Sequence, residues 1–189
     1  MSISRIIFLL FFPACLGILK QVIWNTELTH QLLAIGIFIF CIEQANMANH
    51  DLQQAANAKA QVKDARLDIF NRITIITIII ELIGFYLSSI YLGWGSFIIL
   101  IGLIWFNIFA NIKINNSANN IIINWNITER LPILSADVVG LILIGMWMLN
   151  IASNWISWGL FAMALVYCGI KLFLFFKSWS FVQEIKSSY

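Results

Sequence analysis

Four long apolar runs, residues 73–91, 94–112, 133–152 and 156–176, decide what this chain can fold into, because each carries at most one charged side chain. A helix needs about 20 residues at about 1.5 Å each to cross a hydrocarbon layer of roughly 30 Å, and all four runs meet that length. A soluble fold could not hide them. The chain is 61% hydrophobic and only 11% charged, against about 45–50% and 25% in soluble domains, so lipid is the solvent for most of its surface. The connections Leu92-Gly93 and Ser153-Asn154-Trp155 are short enough to make each pair of runs an antiparallel hairpin.

Two further spans are expected at residues 6–23 and 28–47. They are less regular, since the first is purely apolar only over 6–19 and the second only over 32–42. Arg5 and Lys20 can snorkel to opposite interfaces from the first. The second must carry His30, Gln31, Glu43 or Gln44 into the membrane edge. A signal peptide over residues 1–15 is the rival reading, but Phe12-Pro13 before Cys15 and the apolar run beyond it match that pattern poorly. The expected fold is therefore an all-α, polytopic bundle of six transmembrane helices in three hairpins, forming one membrane domain with a short C-terminal tail over 178–189.

Orientation follows from the basic residues. Arg5, Lys59, Lys63, Arg66, Arg72, Lys113, Arg130, Lys177 and Lys186 fall on one side of the six spans and only Lys20 on the other, which predicts both termini in the cytoplasm. The expected location is a bacterial-type inner membrane or an equivalent internal membrane. Trp24, Trp94, Trp155 and Trp158 then mark the outer interface, and Trp125 and Trp179 the inner one. The same topology puts the sequons at Asn115 and Asn126 in the cytoplasm, where they carry no meaning. A net charge of +2 with scattered basic residues does not point to nucleic acid.

The connection between the second and third spans has no Pro or Gly and is rich in helix formers, so a cytoplasmic helix over about 44–70, continuous with the second span, is expected. Leu52, Ala55, Val62, Ala65 and Ile69 fall at helix-face spacing along it. An alanine-dominated seam suits close helix packing better than a lipid surface, so these residues are candidate contacts to a partner subunit or a second copy; folding back onto the chain's own bundle is the alternative. The connection over 114–130 is asparagine-rich and reads as an irregular interfacial loop with an Ile121-Ile122-Ile123 cluster. Glu81-Leu-Ile-Gly84 and Asp137-Val-Val-Gly140 are faintly alike, as are the Trp94 and Trp158 regions, but unequal spacing makes a hairpin duplication no better than chance.

Glu81 is the most informative residue. Nine positions beyond Arg72, about 13 Å along a helix, it falls near the bilayer centre, where an acid is expensive and turns inward. Thr74, Thr77, Glu81, Gly84 and Ser88 share its face. That stripe reads either as a proton-, ion- or substrate-binding surface or as a packing face of small residues glued by a neutral acid. Asp137 falls near a helix N-terminus, which favours its charge, and Lys171 is close enough to Lys177 to snorkel; both are also candidates to join Glu81. Asn107 and Asn111, one turn apart, suit hydrogen bonds to a neighbouring helix.

Other chemistry is thinly represented. Glu43, Asn46 and His50 share a face, but Glu43 and His50 are about 10 Å apart along the axis, too far for one metal, and His50 is a weak candidate cofactor ligand at most. Cys15, Cys41 and Cys168 are far apart in sequence and read as small buried hydrophobes with no structural disulfide. No phosphate loop, GxSxG, HExxH or paired haem histidines occur. The expectation is a non-enzymatic accessory, assembly or scaffold subunit of a larger membrane complex, without a cofactor. The alternatives are a small transporter, channel or substrate-capture subunit using Glu81, and a pigment or lipophilic-cofactor binder.

Overall fold

A computed structural model describes the backbone of residues 3–114 and 122–187 and, within them, the side chains of all but 4, 172 and 174–187. Six helices follow one another: α1 (Ile3–Trp24), α2 (Leu28–Gln61), α3 (Ala65–Ser88), α4 (Leu92–Phe109), α5 (Ile127–Met148) and α6 (Ser153–Ser187). All six are long and apolar enough to cross a membrane. Both N-terminal segments are full helices, longer than their purely apolar stretches. Pro13 lies inside α1, where it cannot donate to the preceding turn; Tyr86 donates its hydroxyl to the Leu10 carbonyl beside it, 3.1 Å away.

α2 continues beyond its apolar part for 34 residues in all, about 51 Å at helical rise. The single helix expected over 44–70 is not observed. The chain turns extended at Val62 and Asp64, which separates α2 from α3. Sequence propensity favours helix through this stretch, but an Asp64 cap and two ion pairs stabilise the break. Asp64 accepts from the Arg66 backbone N–H at 2.8 Å and pairs with its guanidinium at 2.7 Å, while Lys59 of α2 meets Asp68 of α3 at 2.7 Å. The Arg66 guanidinium beside Asp64 holds its carboxyl below the usual carboxylate range.

The connection expected as an irregular loop is instead an antiparallel hairpin, β1 (Ile112–Ile114) with β2 (Ile122–Asn124), in which Lys113 faces Ile123. Two isoleucines in each strand, Ile112 and Ile114 opposite Ile122 and Ile123, suit strand better than loop. The Asn115 sequon and Ile121 lie outside the described residues, as do the Trp179 side chain and the last two residues. Residues expected as a C-terminal tail belong to α6 as far as Ser187. Two expected turns also move. Leu92-Gly93 already belongs to α4 and Ser153-Asn154-Trp155 to α6. The second reversal falls at Leu149–Ala152, with Asn150 at φ 58° and Ala152 at φ 52°, a left-handed backbone unusual for alanine.

Packing is uneven. α1 lies on α2, and α3 lies on α4 along the most extensive contact in the molecule. α5 rests chiefly on α4 and α6 on α2, and the two touch each other only slightly. The α3–α4 approach needs small residues: a Cβ at Gly95 would overlap Ser88, and one at Gly84 would come within 2.6 Å of Ile99. A hydrophobic core of Ile7, Phe11, Ala14, Ile18, Cys41, Ile78, Phe85 and Ile99 joins α1 to α4. A second, built from Ala55, Ala58, Leu67, Phe70, Ala110 and Ile112, packs the α2 extension against α3 and the hairpin.

Candidate functional site

The polar stripe of α3 divides in two. Gly84 and Ser88 pack against α4, with the Ser88 hydroxyl buried and without a hydrogen-bond partner among the described residues, so this half is a packing face. Thr74, Thr77 and Glu81 instead line a cavity of about 40 Å³ with Gln44, Met47, Ala48 and Asp51 of α2 and Leu103 and Phe106 of α4. That space suits about three waters or a small cation, not an organic substrate.

Glu81 is 3% exposed and makes no hydrogen bond or ion pair to a described residue. The two threonines satisfy their own hydroxyl protons by donating to the preceding turn, Thr74 to Phe70 at 3.0 Å and Thr77 to Ile73 at 2.9 Å. Their lone pairs remain free to accept. The cavity therefore joins two carboxyls, Glu81 and Asp51, through an amide and two hydroxyls, a lining that can hold a proton, ordered water or a cation. In the sequence Gln44 reads only as a polar group at the membrane edge, and Asp51 is not among the candidates. The signal was present, since Gln44, Ala48 and Asp51 recur at helical spacing on α2 beside the face carrying Glu43 and His50.

The other candidates sit elsewhere. Asp137 accepts from the Asn107 side-chain amide at 2.7 Å across the α4–α5 contact, so these two meet each other rather than Glu81. Lys171 joins neither acid: its ammonium meets Glu43 at 2.9 Å, and Tyr167 donates to the same carboxylate oxygen at 2.6 Å, tying α6 to α2. One turn separates Tyr167 from Lys171, which lets both reach one partner. His50 has a side chain 67% exposed and contacts Asp51 and Gln54. Among the described residues no three His, Cys, Asp or Glu side chains converge as a metal site.

The candidate contact residues are split as well. Ala55 is fully buried in the second core and Leu52 packs against the first, so the chain uses both internally. Val62 lies half-buried in the helix break, while Ala65 and Ile69 remain exposed. The alanine seam is thus a fold-back surface over its first half. The break at Val62–Asp64 rotates its second half away.

Arg130, read from the sequence as a loop charge, is 4% exposed. Its guanidinium donates to the carbonyls of Asn107, Ile108 and Ala110 at 2.7, 3.2 and 3.0 Å and to the Asn111 side chain at 3.1 Å. α4 ends without a glycine, so its last carbonyls need an outside donor, and a cation there also opposes the helix dipole. Cys15 and Cys41 are free thiols, as expected, but the fold brings their sulfurs to 2.9 Å between α1 and α2. Comparison with protein-family models, curated proteins and solved structures finds no match.

Proposed function

We propose that this chain is a non-enzymatic subunit of a larger membrane assembly, crossing the bilayer six times with both termini in the cytoplasm and using α5 and α6 as its partner-facing surface. The observation that carries this is the bareness of those helices. Only 6% of the apolar stretch of α5 and 11% of that of α6 are buried, against 39%, 44% and 39% in α2, α3 and α4. Among the described residues, Gly145, Gly159 and Gly169 have no neighbour within 4 Å of where a side chain would start. Lipid alone would fill such a surface best with bulky aliphatic residues, whereas exposed glycines suit close helix–helix approach. The basic residues clustered at the α2–α3 and α4–α5 ends, with Lys20 alone opposite, support the cytoplasmic placement of those ends.

Mild-detergent purification from native membranes tests this reading. The chain is expected to migrate with other membrane subunits or with further copies of itself, and Gly159→Leu is expected to release it as a folded single chain. A wild-type chain that is single in both native membranes and mild detergent overturns it.

A second reading has its own support in the cavity. Glu81, with Asp51 and the two threonines, would serve as the coupling residue of a small proton or cation conductor. Glu81→Gln should then abolish flux in reconstituted vesicles with helicity unchanged; normal flux in that variant removes this reading.

A further inference from the structure

We propose that Cys15 and Cys41 form an oxidisable dithiol that closes to a reversible disulfide between α1 and α2, with a lipid-soluble quinone as the electron acceptor. The two residues are 26 positions apart on different helices, yet their sulfurs approach to 2.9 Å. A disulfide needs about 2.05 Å, so closure shortens the contact by less than about 1 Å. No comparable contact involves Cys168 among the described residues.

The setting favours a lipophilic partner. Cys41 is fully buried and Cys15 half-buried, within the core formed by Phe11, Ala14, Ile78 and Phe85. Access from the lipid side runs past Cys15, whose neighbours Phe12 and Leu16 are 44% and 49% exposed. Glutathione and other polar thiols or disulfides have no comparable route into an apolar core.

The step balances as a two-electron oxidation. Two S–H bonds break, one S–S bond forms, and the two electrons and two protons convert the quinone to its hydroquinone. Reduction by a membrane-permeant dithiol restores both thiols.

Thiol counting on the full chain in membrane vesicles tests the proposal. Vesicles are incubated with or without a fully substituted benzoquinone, which cannot add to thiols directly, and the chain is then denatured and labelled with a mass-tagged maleimide. The reduced chain is expected to take three tags and the oxidised chain one, on Cys168, with three recovered after dithiol treatment. Peptide mapping of the oxidised wild type should show residues 15 and 41 in one cross-linked fragment, a readout that needs no variant to fold. Cys15→Ser and Cys41→Ser should each take two tags with or without quinone. Three tags on the wild type after quinone exposure, or a cross-link that includes Cys168, would overturn it.

Discussion

The inner four helices and the outer two are built by different rules. α1 to α4 approach one another through glycine, serine and alanine and bury Phe11, Ile18 and Phe85, and α2, α3 and α4 line the Glu81 cavity. α5 and α6 touch this bundle along one side each, barely meet, and leave Gly145, Gly159 and Gly169 bare. They are nevertheless fastened by polar links, Asn107–Asp137 and Arg130 for α5, and the Glu43–Tyr167–Lys171 cluster for α6. The difference separates two jobs. Within the bundle, small residues serve the chain's own packing; on the outer pair Gly140 and Ser157 do the same, but Gly145, Gly159 and Gly169 meet no described residue within 4 Å.

The sharpest way to break this contrast is to overfill each region in turn. Gly95→Leu would drive a side chain into Ser88 backbone and is expected to cost at least about 1–3 kcal/mol, enough to abolish the α3–α4 contact. Thermal unfolding in detergent, followed by circular dichroism, would register it as a lower Tm or a failure to fold.

Arg130→Leu comes next. It removes the donor from three carbonyls at the end of α4, and a charge-assisted hydrogen bond contributes about 1.5–3 kcal/mol, so a loss of that order is expected in the same measurement. Arg130→Lys should recover only part of it, since an ammonium cannot reproduce the planar fork. If Arg130→Leu unfolds like the wild type, the polar fastening of α5 is not what holds it.

How much of this could be read beforehand depended on the range of the interaction. The six apolar helices follow from local composition, and the depth of Glu81 follows from helical rise. The division of its stripe does not, because whether Ser88 meets water or Gly95 is decided by a helix crossing that no spacing on α3 encodes. Asp51 is hidden for a related reason: only the approach of α2 to α3 brings it to the cavity that Glu81 lines. The break at Val62–Asp64 is a case of tertiary contacts overriding propensity. Residues 44–70 contain no Pro or Gly and are rich in helix formers, and it is Asp64 with Arg66, the Lys59–Asp68 pair and the shared core of Ala55 and Leu67 that favour two helices over one.

That break gives a smaller, pH-dependent prediction. Asp64 is held below its usual carboxylate value in the folded chain, so its contribution is present above the unfolded value, near about pH 4, and is lost as pH falls through the folded one. Amide exchange over residues 62–66, corrected for intrinsic rates, should accelerate as pH drops from 5 to 3. Asp64→Ala should exchange faster at pH 5 and change less on acidification. A wild-type profile that runs parallel to that of the variant would remove the cap from the account.

The smallest effect is expected on the outer pair. Gly145→Leu meets no neighbouring atom, so the stability of the single chain should stay within about 0.5 kcal/mol of wild type. A large loss would show that α5 is packed internally after all, and the contrast with Gly95 would fail.

The central claim is that α5 and α6 face protein, and protein mass in the native membrane environment tests it most directly. Light scattering on particles extracted into lipid nanodiscs, with the lipid contribution subtracted, should give a protein mass well above the 21.6 kDa of one chain. It should fall to that value for the Gly159→Leu variant with its helicity intact. A wild-type mass of 21.6 kDa, equal to that of the variant, would contradict the account.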